Sequence, residues 1–311
     1  MYIVKVDLKN LDVKHYKEFI ETCDNATPFH NIEWLIIINE IRDDLNLKFY
    51  FIKENNKTLA VMPVYEKYNI KFIMSSLPYS CYGGFVYSSL YRNEIEKFLK
   101  DVGLFKFKIV SIFTRDNLYS GLLYGSQKLY TYTVDCSDDY NTVFSKFSTK
   151  TRNQVRKANK SGIEYKLVDK DEEVKDCISL YKLLIKKHRI KSPYNNKLFY
   201  LLKEYNGRNL YFYIAKYNGI VIAYSVFINS KNSVFYWLSA FDNKYSKFNA
   251  PLGILSTMID KACEKKQSLN LGAVPYGNDS LKHFKEGLGA EMVEYRQYYS
   301  AIFKVIKKIR G

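Results

Sequence analysis

Leu210–Phe241 reads LYFYIAKYNGIVIAYSVFINSKNSVFYWLSAF, and three consecutive β-strands account for it. Aromatic and β-branched residues fill the runs, and Asn218-Gly219 and Asn229–Asn232 punctuate them. Asn-Gly between two such runs marks a type I′ hairpin, because both central residues of that turn need positive φ. The segment is therefore an antiparallel meander.

A similar phrase stands earlier in the chain. Leu47–Ala60, LKFYFIKENNKTLA, repeats Leu210, Phe212, Tyr213, Lys216, Asn218 and Ala223 at Leu47, Phe49, Tyr50, Lys53, Asn55 and Ala60, without a gap. Internal similarity of this kind points to a duplicated unit. At 311 residues, 47% of them hydrophobic, the chain has material for two cores. The boundary is read at Asp135-Cys136, giving domains 1–135 and 136–311.

No run of apolar residues is long enough to span a bilayer, and the first residues lack the pattern of a secretory signal. The expected location is the cytoplasm. The five cysteines, Cys23, Cys81, Cys136, Cys177 and Cys263, are widely spaced without a Cys-x-x-Cys pair, so neither disulfides nor a zinc site is expected. The four histidines have no metal-binding spacing, and there is neither a P-loop nor a dinucleotide fingerprint. Cys81, beside Tyr82-Gly83-Gly84, is a weak nucleophile candidate with His30 or His188 as base.

Net charge is +16, from 48 Lys and Arg against 32 Asp and Glu. Such a surplus favours phosphates, nucleic acid or an anionic membrane surface as partners. Its densest stretch is Lys146–Lys166, where Thr151 and Gln154 suggest a helix start and Gly162 a stop. Arg152, Arg156 and Lys160 then share one helix face, where like charges repel unless an anion or water compensates them.

From Ile163 the order of elements is strand, two helices, the meander, a helix at Pro251–Glu264, a strand at Leu269–Gly272, a helix at Ser280–Gly287 and a strand at Glu291–Phe303 leading into a basic segment. That order is the one found in GCN5-related acyltransferase (GNAT) folds. The fold class read from the sequence is α/β (α+β): two tandem GNAT-like domains, each a mixed central sheet flanked by helices, with the first degenerate.

Four motifs in sequence carry a closer resemblance: Phe29–Trp34 (FHNIEW), Lys150–Gly162 (KTRNQVRKANKSG), Asn249–Gly253 (NAPLG) and Leu281–Gly289 (LKHFKEGLG). Together they resemble the FemABX-like peptidyltransferases, tandem GNAT proteins that pass amino acids from aminoacyl-tRNA to cell-wall precursors. The resemblance implies that Phe284-Lys285 is the family's Phe-Lys pair, with Lys285 catalytic. It also implies a substrate-side role for Tyr236, phosphate contact by Arg189 beside His188, and substrate binding by Trp34 and Asn249. The chain departs from the family at Ile37, Ile38 and Asn39, where a basic residue is often found, and in lacking the helical insertion of larger members.

An acetyl-CoA enzyme is the alternative within the same fold. Its pyrophosphate is held by glycine-rich backbone at a helix N-terminus. Here Asp242–Gly253 offers one glycine and Pro251, which has no N–H. The expectation is thus an acyltransferase with no required cofactor, aminoacyl-tRNA being favoured as donor over acyl-CoA. A reading of another class is a non-catalytic RNA- or polyanion-binding protein. Convergence of Arg152, Arg156, Arg189 and Lys285 on one groove would favour the enzyme, and their scatter over a convex face would favour the binding protein.

Overall fold

Two turns set the hairpins. Asn218 and Gly219 have φ of 49° and 80°, and Asn55 and Asn56 have φ of 46° and 64°. Both loops therefore carry the positive φ pair that a right-twisting two-residue hairpin requires, and the repeated phrase makes the same structure twice. In a computed structural model of the chain, residues 1–67, 70–75, 82–105 and 109–310 are described. Cys81 lies outside the described residues.

Contacts divide these residues into two compact units. The first unit holds Met1–Tyr130 and Glu294–Gly311, the second Thr131–Val293. Its elements begin with strand β1 (Tyr2–Asp7), helices α1 (Val13–Glu21) and α2 (Ile32–Ile41), and strands β2 (Leu45–Glu54), β3 (Lys57–Lys67), β4 (Ile70–Ser75) and β5 (Val86–Tyr87). Helix α3 (Arg92–Val102), strand β6 (Ile109–Thr114) and strand β7 (Gly125–Asp135) follow. The second unit continues with α4 (Tyr140–Ser145), α5 (Thr149–Lys160), β8 (Glu164–Leu167), α6 (Asp171–His188) and α7 (Lys197–Glu204). Next come β9 (Leu210–Tyr217), β10 (Ile220–Asn229), β11 (Ser233–Phe241), α8 (Ala250–Glu264), β12 (Ser268–Asn270) and α9 (Asp279–Glu286). Strand β13 (Glu291–Tyr299) and helix α10 (Ala301–Arg310) complete the chain.

In the first unit the strand order is β1-β2-β3-β4-β6-β13, with β4 and β6 parallel and the other pairs antiparallel. In the second it is β7-β12-β11-β10-β9-β8, with β11 and β12 parallel. Each unit is thus a mixed α/β sheet flanked by helices.

The second unit's sheet is packed on both faces. Ile254, Leu255, Met258 and Ile259 of α8, with Val155 of α5, bury against Ala223 and Phe227 of β10. The other face is aromatic: Phe199 of α7 meets Phe212 and Tyr224 edge-on or tilted, and Tyr181 of α6 meets Phe199 at 5.3 Å. Glu173 joins α6 to the edge strands, because its buried carboxylate takes Lys166 at 3.1 Å and Lys216 at 3.2 Å.

Two local differences from the sequence reading have clear causes. Strand β13 stops at Tyr299 rather than Phe303, since Ser300 turns the chain by accepting the Phe303 N–H at 3.3 Å and starts α10. Asp139 likewise caps α4, a helix too short to give a periodic signal. The contact division also places Glu294–Gly311 with the first unit, whereas the linear reading ended that domain at residue 135.

Candidate active site

The second unit's sheet opens where β11 and β12 part. They pair only at Ser233/Ser268, Val234/Leu269 and Phe235/Asn270, after which β12 ends and β11 runs on to Phe241 beside β10. Among the described residues no strand lies along the β12 side of β11 beyond Phe235. A bulge sharpens the divergence: Val226 opposes Leu238 and Phe227 opposes Tyr236, leaving Trp237 as the extra residue.

Lys285 stands at this opening. Asn278 caps α9 by accepting the Leu281 N–H at 3.1 Å, and Ser148 N–H donates to Gly287 O at 2.9 Å at the far end. A β-carbon on Gly287 would press on the Thr151 hydroxyl, so only glycine lets α9 sit this close to α5. Helix α9 thereby turns Lys285 inward, where it is 3% exposed. Its ammonium donates to Gly272 O at 2.9 Å and Ala273 O at 3.0 Å and lies 5.9 Å from the centre of the Tyr132 ring. Gly272 has φ of 78°, and Asn270 Oδ1 holds its N–H at 2.8 Å. That left-handed residue aims its carbonyl at the lysine, a conformation that side chains disfavour. Burying an ammonium is costly without such acceptors, so the arrangement is a built one.

Tyr236 is the first residue of β11 past the last β12 pair. Its ring stacks on Phe227 at 5.3 Å, and the bulge puts it on the same face as Ser239 and Ser225. Burial pushes the phenol pKa up, with hydrogen bonds to Ser239 and Ser225 opposing in part. The phenol is protonated at neutral pH. Ser225 Oγ donates to Ser239 Oγ at 3.1 Å, which donates to Tyr224 O at 2.9 Å, so the phenol heads a hydroxyl chain. Phe284 packs against the same core as the α8 side chains.

Asn249 has φ of 53° and stands immediately before α8. Its carbonyl accepts the N–H groups of Leu252 at 2.9 Å and Gly253 at 3.2 Å, and Pro251 has none. The first turn is also covered. Tyr165 of β8 lies so close over Gly253 that any β-carbon there would collide with the phenol. Among the described residues the Tyr165 hydroxyl is buried with no hydrogen-bond partner, and burial raises its pKa to about 12. A pyrophosphate cradle needs open N–H groups at this turn, and here Leu252 and Gly253 have theirs bonded to Asn249 O while Pro251 has none. The sequence flagged this loop through Pro251 but not Tyr165, whose partner lies far away in the chain.

The basic residues do not gather, so the convergence that would have favoured the enzyme is not found. Arg152 donates to Ser145 O at 2.9 Å, to Phe147 O and to Thr149 Oγ1 at 3.2 Å, which ties α5 to the end of α4. Arg156 lies over the Phe144 ring at 5.6 Å, and Lys160 is exposed. His188 and Arg189 end α6, on the opposite face of the sheet from α5, and both are exposed. Trp34 belongs to the first unit, 1% exposed and edge-on to Phe29 at 6.2 Å. In the same unit, His30 is buried and hydrogen-bonds through both ring nitrogens, to Thr27 and Gly84 O.

Residues 145–285 match the family model described as an acetyltransferase (GNAT) domain. The parted strands, the meander and α8 all fall within it. No curated protein matches the chain in sequence. Among solved structures, FemX is similar over 99% of both chains, at 12% identity and a TM-score of 0.73. The chain has a FemABX-like GNAT fold. L-PGS from Bacillus licheniformis is similar over 93% of this chain and 92% of its own, at 14% identity and a TM-score of 0.57. The C-terminal domain of a putative lysylphosphatidylglycerol synthetase from Agrobacterium fabrum gives the same TM-score of 0.57 at 12% identity, over 92% and 91% of the two chains. Lys285, the last residue of the matched segment, thus stands at the open strands of the GNAT domain. No helix among the described residues is long and apolar enough to cross a membrane.

Proposed function

We propose that the chain is an aminoacyltransferase, moving an aminoacyl group from aminoacyl-tRNA to an amine of a cell-envelope precursor or a related acceptor. The observation that carries this reading is Lys285, buried where β11 and β12 part and fixed on the carbonyls of Gly272 and Ala273. In the reaction the acceptor nitrogen attacks the acyl carbon, a C–N bond forms and the carbonyl oxygen becomes an oxyanion. As the ester C–O bond breaks, the proton lost by nitrogen ends on the departing hydroxyl. Lys285 supplies positive charge to the oxyanion, and the Tyr236 phenol, held by Ser239 and Ser225, gives its proton to the departing oxygen as it takes the one lost by nitrogen. The covered first turn of α8 supports a donor other than acetyl-CoA.

Lys285→Met should lower single-turnover transfer about a hundredfold or more, the size expected for one oxyanion-stabilising group. It removes two hydrogen bonds to backbone, so a stability loss of about 1–3 kcal/mol should accompany it, and rates are to be compared below the variant's melting range. Lys282→Met is the control. Lys282 is exposed and pairs with Glu286 at 3.7 Å on the same helix, so its loss should change transfer less than about twofold. Equal, small effects from both substitutions would remove Lys285 from the chemistry.

A further inference from the structure

Helix α10 carries an unusual surface. Phe303 and Ile306 are partly buried against the first unit, Phe303 lying 6.2 Å from Tyr299, whereas Ile302 is 39% and Val305 57% exposed. Ile302 and Val305 are one helical turn apart and present a common apolar edge. Tyr124, 63% exposed, stands beside Lys304, whose Nζ lies 5.1 Å from its ring centre. Lys304 and Lys307 line a cavity of about 260 Å³ together with Gln127, Tyr299 and Phe303. Neither lysine has an ion-pair partner among the described residues, and residues 301–311 contain no acid while adding Lys308 and Arg310.

We infer that α10 docks the protein on an anionic lipid bilayer, lying in the interface with Ile302, Val305 and Tyr124 among the acyl chains and Lys304 and Lys307 on lipid phosphates. Each part of the surface suits that occupant. A basic helix with an exposed aliphatic edge gains from apolar burial and from the negative surface potential together. A tyrosine at the boundary keeps its ring in the apolar layer and its hydroxyl in water. Nucleic acid would use the lysines but has no place for Ile302 and Val305. The net charge of +16 adds a long-range attraction of the same sign.

The test uses the full chain with vesicles of phosphatidylcholine alone and of phosphatidylcholine with phosphatidylglycerol, read by co-sedimentation. Binding should need the anionic lipid and weaken with salt. Lys304→Gln with Lys307→Gln should weaken it about twenty-five-fold, at about fivefold per lysine. Ile302→Asp with Val305→Asp should weaken it at least tenfold. Lys97→Gln with Lys182→Gln, which removes as much charge from exposed sites elsewhere, should change it less than twofold. Ile302→Trp gives a second readout independent of affinity, a blue shift of indole emission on adding anionic vesicles. Equal binding to neutral vesicles, equal loss in the control pair, or an unshifted indole would overturn the inference. So would a dimer that the Ile302 and Val305 substitutions dissociate, or RNA binding that the lysine pair abolishes while vesicles are not bound.

Discussion

His30 shows how a residue's surroundings can reverse its reading. From the sequence it was a candidate base for Cys81; in the structure its Nδ1 accepts from Thr27 N–H at 3.1 Å and its Nε2 faces Gly84 O at 3.2 Å. Nε2 therefore donates to Gly84, and the ring is neutral. Burial lowers the pKa to about 4, against hydrogen bonds that act the other way. A histidine whose folded pKa is depressed leaves the unfolded chain holding more protons, so its contribution is complete above the unfolded pKa near 6.5 and is lost as pH falls toward 4. Denaturant titrations should show stability falling by about 3 kcal/mol over that window, with a flatter profile in His30→Asn. An identical slope in the variant would assign the acid sensitivity to other groups. Lys285 was legible as a residue through the Phe284-Lys285 pair, but its burial was not, because Gly272 and Ala273 meet it only after α9 folds back.

At the scale of elements, the hairpins were the most legible part of the chain. Their information is local, in two residues that tolerate positive φ between runs that pack. Helix α10 was missed for the opposite reason: the aromatic end of β13 runs directly into the apolar start of α10, and only Ser300 separates strand from helix. The contact of Tyr165 with Gly253 is long-range and had no local signal. It gives an element-scale prediction. Tyr165→Phe removes a buried hydroxyl without a partner, so melting temperature should stay level or rise, whereas Tyr16→Phe, which loses a 2.6 Å bond to His30 O, should cost about 1 kcal/mol. Gly253→Ala should destabilise by about 1–3 kcal/mol through overpacking, and Tyr165→Ala should relieve most of that in the double variant. Additive costs in that cycle would mean that Tyr165 does not cover the first turn of α8.

For the whole molecule, the repeated phrase announced two units, and each contains one copy of the hairpin. Where the units divide was less legible, because β7 and β13 each run through residues of both, and no composition change marks a crossing within a strand. The charge was legible but its placement was not: Arg152 braces α4, and Arg189 ends a helix on the other face from Arg156. The functional core we propose is the opening between β11 and β12, with Lys285 and Tyr236 beside it. The measurement that bears most directly on this core gives the full chain aminoacyl-tRNA and acetyl-CoA in separate single-turnover reactions with the same amine-bearing envelope precursors, and reads the mass added to the acceptor. The account predicts an aminoacyl mass from the tRNA donor, reduced about a hundredfold or more by Lys285→Met, and no acetyl mass from CoA. An acetyl mass alone, with nothing from the tRNA donor, would contradict it.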